Sequence, residues 1–154
     1  MQPPFSEIDE EYMREALRLA DEAGQRGEVP VGAVVVIDEE IIGRGNNATI
    51  RENDPTAHAE MLALREAAKT VGSYRLTGAA LYVTMEPCAM CAGALVTARV
   101  SRLVFGTRDL RFGAVRSKFR IADSDLLNHR MDITEGVLAA ECLKRLQKFF
   151  ASRR

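Results

Sequence analysis

Short apolar segments rich in β-branched residues alternate along this chain with longer segments of helical period. Residues 31–37 and 41–45 flank an acidic turn at 38–40 and predict a β-hairpin. Further strands are predicted at 79–84, 103–106 and 131–134, and helices at 9–23, 57–70, 88–98 and 137–150. Strands that alternate with helices predict an α/β protein in which the helices cover a central sheet.

The length of the chain fits one domain. A chain of 154 residues lies within the usual size range of a single domain, so one domain is predicted over 1–154. No segment approaches the roughly 18 consecutive apolar residues of a membrane span, and the acidic start at 1–10 lacks the pattern of a signal peptide. We therefore expect a cytoplasmic protein with no membrane partner.

Opposite charges are segregated along the chain, although the net charge is only −1. Residues 1–30 carry three basic and eight acidic side chains, whereas residues 108–154 carry eleven basic and six acidic ones. The basic C-terminal third is compatible with a nucleic-acid partner, and the alternative is a solvated helix beside a charged loop. Residues 108–130 lack a clear period and predict a long loop with at most a short helix near 123–127.

Two of the three cysteines have the spacing of a metal or redox site. Cys88 and Cys91 form a C-x-x-C pair, which in a chain without secretion features indicates such chemistry rather than a structural disulfide. Cys142 stands alone among apolar residues, so we expect it to pack in the core. Two other interpretations of the pair stay open: a thioredoxin-like redox pair, and half of a structural zinc site completed by His129 or Cys142.

His58 and the two cysteines form a candidate catalytic zinc site. Three protein ligands leave one position of a tetrahedral zinc ion open, whereas structural zinc sites are normally closed by four. Cys88 and Cys91 lie at the predicted start of a helix, where positions i and i+3 share a face and free N–H groups stabilise thiolates. Because two thiolates make zinc a weaker Lewis acid, a nearby base is useful, and Glu60 lies two residues after His58.

The order of these residues resembles that of the cytidine deaminase superfamily. H-x-E at 58–60 is followed, after 26 intervening residues, by P-C-x-x-C at 87–91, the signature of zinc-dependent nucleobase deaminases. The segments 30–33, 54–60 and 86–94 all resemble that superfamily. Over nearly its whole length the chain resembles the bacterial tRNA adenosine deaminases in particular, through matches at 104–106, 108–109, 128–130, 149–150 and 153–154.

The resemblance implies a three-layer α/β/α sandwich with a five-stranded mixed sheet, assembled as a homodimer. It implies hydrolytic deamination of adenosine to inosine at the wobble position of a tRNA anticodon loop, typically in an arginine tRNA. One Zn²⁺ per subunit would be held by His58, Cys88 and Cys91. Glu60 would be the catalytic residue that carries a proton from water to N1 of the adenine.

The resemblance also implies a set of substrate-binding residues. Asn47 matches the family asparagine that hydrogen-bonds the base. Phe150 is expected to stack on an anticodon-loop base, whereas its neighbour Phe149 is expected in the core. The residues expected at the substrate are Asn47, Val31, Ala59, Arg108, Asp109, Phe150 and, against a phosphate, Arg154.

Two other functions remain open from the sequence. A deaminase of a free nucleobase or nucleoside, of the guanine, cytosine or cytidine type, would use the same zinc group and Glu60 without the basic C-terminal residues Lys148, Arg153 and Arg154. A non-enzymatic, zinc-stabilised RNA-binding module would use the metal ligands without Glu60.

Overall fold

The computed structural model describes residues 5–153, which form four helices and one five-stranded sheet. The elements follow the chain as α1 (Glu7–Gln25), β1 (Gly32–Ile37), β2 (Glu40–Asn46), α2 (Ala59–Val71), β3 (Ala80–Met85), α3 (Ala89–Thr97), β4 (Arg102–Thr107), β5 (Asp132–Glu135) and α4 (Ala139–Ala151). Every predicted strand and helix is present, with bounds shifted by a few residues. Residues 108–130 form the predicted long loop, with turns at 123–127. None of the helices within 5–153 is both long and apolar enough to cross a bilayer.

The sheet is mixed and has the strand order β2-β1-β3-β4-β5. β1 runs antiparallel to β2 and β3, whereas β3, β4 and β5 are parallel to one another. Alternate residues of β1 belong to different cores: Val34 packs in the cluster that includes Met13 of α1, and Val35 in the cluster that includes Ala63 of α2. Helices therefore cover both faces of the sheet, which confirms the predicted three-layer α/β/α sandwich.

α2 lies in backbone contact with β2. A Cβ atom added at Gly43 would collide with the carbonyl oxygen of Ala63, and one added at Gly45 with that of Ala59. Only glycine allows this approach without displacing the helix. The two glycines thus fix the position of α2, which begins immediately after His58.

A buried acidic residue joins α1 to the centre of the sheet. Asp9, only 3% exposed, accepts hydrogen bonds from the Tyr82 hydroxyl at 2.7 Å and from two nitrogens of Arg102 at 2.8 and 3.0 Å. It also closes a capping box with Ser6, the N-cap of α1. Burial alone would raise the pKa of Asp9, but the hydrogen bonds from Arg102, Tyr82 and Ser6 outweigh it and lower the pKa to about 2.

Candidate active site

Several chain segments meet at the edge of the sheet that is formed by the carboxyl-terminal ends of β3 and β4. Because β1 is antiparallel to β3, its first residue lies at this same edge, next to the last residue of β2. α2 and α3 also begin here, with His58 as the N-cap of α2 and Cys88 as the N-cap of α3. Ligands of open α/β sheets commonly bind outside the carboxyl ends of the strands, so the topology alone marks this edge.

His58, Cys88 and Cys91 are positioned to bind one metal ion. Their ligating atoms all lie within 4.8 Å of one another. Nδ1 of His58 is 3.6 Å from Sγ of Cys88 and 3.5 Å from Sγ of Cys91. Zinc–sulfur and zinc–nitrogen bonds of roughly 2.3 and 2.05 Å at a tetrahedral angle separate the two ligand atoms by about 3.6 Å. The geometry therefore fits zinc, with one coordination position left for a ligand.

The pKa values of the two thiols are shifted in opposite directions. A hydrogen bond from Cys91, together with His58, lowers the pKa of Cys88 to about 4 despite its partial burial. The contact with Cys88 and burial both raise the pKa of Cys91. Two sulfur atoms that compete for one proton are stabilised together as thiolates by a divalent cation. The donor set thus fits a cation chemically as well as geometrically.

Glu60 lies in the first turn of α2, beside the metal-binding group. Its side chain is almost completely buried, with 4% of its surface exposed. Burial, with a further contribution from the charge of Cys88, raises the pKa of Glu60 to about 7. A carboxyl group with a pKa near neutrality can both take up and release a proton under physiological conditions.

A cavity of about 520 Å³ opens over the metal-binding group and Glu60. This volume lies within the usual range for small-molecule sites, about 300–1,000 Å³. The wall combines apolar residues, residues of the metal-binding group with Glu60, and residues of the loop after β4. It is formed by Val29, Val31, Asn47, His58, Glu60, Met85, Glu86, Cys88, Asp109, Arg111, Phe112 and Phe150.

Asn47 links the end of β2 to the start of α2. Its Oδ1 accepts a hydrogen bond from the backbone N–H of Ala59 at 2.9 Å, which leaves the amide nitrogen as the group that can donate to a ligand in the cavity. Val31 forms an apolar part of the wall. Ala59 does not line this cavity: its side chain is buried in the core and its N–H is already bonded to Asn47.

The loop after β4 contributes one of its two expected residues directly. Asp109 lines the cavity, and its Oδ1 accepts the backbone N–H groups of Arg111 and Phe112 at 3.0 and 3.1 Å. Arg108 instead forms a two-pronged ion pair with Glu135 at the end of β5, with N–O distances of 2.7 and 3.1 Å. Arg108 therefore lies beside the cavity rather than on its wall.

Glu86 is a residue of the site that the sequence did not single out. Its carboxylate is buried and accepts the backbone N–H groups of Asp109, Val115, Arg116 and Ser117. Burial favours a higher pKa, but these hydrogen bonds outweigh it and hold the pKa of Glu86 below its usual range. The signal available in the sequence is an acidic residue between a buried strand and the P-C-x-x-C motif, with no basic residue nearby to pair with it.

The end of α4 forms another part of the rim. Phe150 is half exposed and lines the cavity. Phe149 is partly buried, with the guanidinium of Arg153 stacked 3.6 Å from its ring centre. The predicted phosphate contact at Arg154 lies outside the described residues.

The other candidates for metal ligands have different roles. A ring nitrogen of His129 is 2.6 Å from the carbonyl oxygen of Val100. Cys142 is buried in the core, as expected for a packing residue. Its Sγ lies so close to Gly106 that a Cβ atom added there would collide with it. Within 5–153, neither belongs to a cluster that could hold a metal ion, so the structure does not form a four-ligand zinc site from them.

Comparison with known proteins agrees with this geometry. Residues 6–107 match the cytidine and deoxycytidylate deaminase zinc-binding region. The chain is 53% identical to the tRNA-specific adenosine deaminase of Haemophilus influenzae, over 97% of this chain and 87% of that protein. It is 47% identical to the Bacillus subtilis protein of the same name, over 95% and 91% of the two chains.

A solved structure extends the similarity to three dimensions. That structure comes from work on A-to-I editing by tRNA:A34 deaminases at the wobble position of transfer RNA. It superposes with a TM-score of 0.86 at 44% identity, covering 88% of this chain and 99% of the other. The chain therefore belongs to the zinc-binding cytidine and deoxycytidylate deaminase family and, within it, to the tRNA-specific adenosine deaminases.

Proposed function

We propose that this protein is a zinc-dependent hydrolase that converts adenosine to inosine at the wobble position of a tRNA anticodon loop. The observation that carries the proposal is the position of the metal-binding group and Glu60 in a cavity rimmed by Phe150 and by an aromatic and basic loop. This arrangement suits an unstacked nucleotide, whose base enters the cavity while neighbouring bases stay outside.

The residues of the cavity wall account for the chemistry. When bound, zinc supplies a Lewis acid that lowers the pKa of a water molecule. Glu60 is placed to pass one proton from water to N1 of adenine as the water oxygen bonds to C6. It would then pass the second proton, from the new C6 hydroxyl, to the amino group, which leaves as ammonia when the C6–N bond breaks. Burial raises the pKa of Glu60 above its usual range, which favours uptake of a proton by its carboxylate. Burial of its carboxyl group limits proton exchange with bulk water.

The remaining wall residues orient the base. The amide nitrogen of Asn47 donates a hydrogen bond to an acceptor on the purine, while Oδ1 stays bonded to Ala59 and fixes the orientation of the amide. Val31 provides an apolar surface against the base. Ala59 acts indirectly, through Asn47, and Asp109 holds the loop that closes this side of the cavity.

RNA outside the cavity would contact the end of α4 and the loop after β4. Phe150 is exposed enough to stack on a flanking base of the anticodon loop. Arg108 and Arg154 would contact phosphates of the RNA backbone. Arg108 would do so by leaving its ion pair with Glu135 and binding a phosphate instead. We also propose that residues 1–154 act as one deaminase domain, that the protein is a homodimer, and that its substrate is an arginine tRNA.

The test is direct detection of inosine. The purified zinc-loaded protein is incubated with unmodified arginine tRNA, and nucleosides are analysed by mass spectrometry after complete digestion. We expect inosine at the wobble position and none when that adenosine is replaced by guanosine. A protein that holds zinc but forms no inosine in any tRNA with a wobble adenosine would contradict the proposal.

Glu60→Gln separates an enzyme from a binding module. This variant should retain zinc and bind the anticodon stem-loop, yet lose deamination by at least about a hundredfold, because the proton carrier is gone. Glu66→Gln, on the exposed side of the same helix, is the matched control and should retain activity. Parallel assays with guanine, cytosine and cytidine test the small-substrate alternative.

A further inference from the structure

The loop after β4 is wrapped around the buried carboxylate of Glu86. Oε2 accepts three consecutive backbone N–H groups, from Val115, Arg116 and Ser117, at 3.0, 2.8 and 3.0 Å. Oε1 accepts the backbone N–H of Asp109 at 3.1 Å and the hydroxyl of Ser117. Five donors saturate the roughly four lone-pair positions of a carboxylate.

Three consecutive N–H groups that converge on one oxygen form a backbone nest, a common binding motif for external anions. Here the anion is a side chain of the same protein, so the conformation of 115–117 depends on the presence of that charge. The approach is close: a Cβ atom added at Gly113 would collide with the Glu86 carboxyl group and with the carbonyl oxygen of Asp109. Gly113 is therefore required for the loop to close around the carboxylate.

The same short segment also holds the metal-binding group. Glu86 precedes Pro87 and the ligand Cys88 directly. Gly113 pairs with Cys88 in an isolated antiparallel bridge, and Ala114 N–H donates to the carbonyl oxygen of Pro87 at 2.8 Å. The loop is thus fastened to the ligand segment at three consecutive residues.

The fastened loop carries part of the cavity wall. Asp109 is itself bonded to Glu86, and Arg111 and Phe112 lie between Asp109 and Val115, the next residue that Glu86 binds. All three line the cavity. Arg111 and Phe112 are exposed, with the guanidinium 5.4 Å from the ring centre, and so are available to a nucleotide. Glu86 thus connects both ends of this stretch of the wall to the segment that carries the zinc ligand Cys88.

We propose that Glu86 is a positioning residue that holds the RNA-recognition loop, residues 109–117, in register with the zinc-ligand segment. The inference rests on the proposed function, and it adds that substrate affinity depends on an internal anion rather than on the loop side chains alone. Glu86 lies on the cavity wall but its oxygens are occupied by the loop, so it contributes to recognition through that loop.

Glu86→Gln removes the charge and replaces one acceptor oxygen by an NH₂ donor. Either orientation of the amide then faces at least one backbone N–H, because both oxygens accept from the backbone in the native protein. We expect KM for the anticodon stem-loop to rise by about tenfold or more while kcat changes by less than about threefold and zinc content stays at one per subunit. Amide hydrogen exchange at 115–117 should accelerate by a similar factor.

Two further variants probe the same contact independently. Gly113→Ala should reproduce the rise in KM, because the added methyl group displaces the loop from Glu86. Ser117→Ala removes only the hydroxyl bond and should give a smaller rise. The controls are Gly24→Ala, whose added Cβ makes an ordinary 3.5 Å contact with Pro30, and Asp9→Asn, which removes a buried carboxylate that is not part of the cavity wall and is paired with the first residue of β4. Both should leave KM unchanged.

The outcomes are distinct. A fall in kcat at constant KM, loss of zinc from Glu86→Gln, unchanged exchange at 115–117, or an equal rise in KM in Asp9→Asn would each overturn the inference. If Glu86→Gln does not fold, Gly113→Ala and Ser117→Ala decide the question. If the wild-type protein forms no inosine, the proposed function fails, whereas hydrogen exchange still reports whether Glu86 holds the loop.

Discussion

Replacing Asp9 with asparagine tests the contact that joins α1 to the sheet. Asp9 accepts hydrogen bonds from Arg102 of β4 and Tyr82 of β3, and its pKa is lowered from 3.8 to about 2. A group whose pKa is lower in the folded state stabilises the fold above its unfolded pKa and loses that contribution as the pH falls. The lowering of the Asp9 pKa from 3.8 to about 2, at about 1.36 kcal/mol per pH unit, corresponds to roughly 2–3 kcal/mol of stability at neutral pH.

The assay is urea unfolding of the wild type and Asp9→Asn between pH 7 and pH 2.5. The difference in unfolding free energy should be at least about 2 kcal/mol at pH 7, because the asparagine NH₂ also faces donors of Arg102 or Ser6. Its pH-dependent part should fall below about 1 kcal/mol at pH 2.5, as Asp9 approaches its folded pKa. Both proteins lose zinc in acid. Because the comparison uses the difference between their unfolding free energies, this shared effect cancels.

The matched control is Asp21→Asn. Asp21 pairs with Arg145 in the same two-pronged manner, at 2.8 and 3.4 Å, but both side chains are partly exposed. Exposed ion pairs contribute about 0–1 kcal/mol, so this change should have little effect at any pH. An Asp9→Asn difference that is equally small at pH 7, or that does not shrink in acid, would refute the reasoning.

Other predictions concern the rim, the metal and the packing of α2. Phe150→Ala should raise KM for the anticodon stem-loop by about 5- to 150-fold, because about 1–3 kcal/mol of base stacking is lost. Any turnover of free adenosine should stay unchanged, and equal effects on both substrates would contradict a stacking role. Removal of zinc with a chelator should abolish activity and lower the melting temperature, because a ligand present at a thousandfold excess over its Kd stabilises the folded protein by about 4 kcal/mol. Re-addition of zinc should restore the activity, measured by the inosine assay, and the melting temperature, measured by differential scanning calorimetry. Gly45→Ala should destabilise the fold by about 1–3 kcal/mol in urea, because its methyl group meets the Ala59 carbonyl oxygen, whereas Gly24→Ala should have no comparable effect.

The metal-binding group could be predicted from the sequence because its determinants are local. Cys88 and Cys91 are three residues apart at a helix start, so short-range rules place them on one face. His58 and Glu60 are two residues apart at the start of another helix, so local sequence places both near that helix N-terminus. The strand pattern predicted the sheet for a similar reason, since each apolar segment has its own turn signals. What remained was to bring two helix starts together, and the resemblance to known deaminases supplied that step.

The parts that escaped prediction depend on long-range hydrogen bonds. Nothing near Glu86 in the sequence indicates that it binds amides 23 to 31 residues further along. The position of Arg108 is decided by Glu135, a partner contributed by a different strand. The loop between β4 and β5 has no periodic pattern because its conformation is held by these few polar contacts rather than by a continuous apolar face.

The nest around Glu86 also determines how the loop can attract a polyanion. Because the amides of 115–117 are turned inward and already occupied, an RNA phosphate cannot be bound by them as it can by a phosphate-binding loop. Phosphates that reach this loop meet exposed cationic side chains instead, those of Arg111, Lys118 and Arg120. Each such contact releases a counterion, so the contribution of the loop to RNA affinity should fall steeply with ionic strength while the chemistry at Glu60 does not.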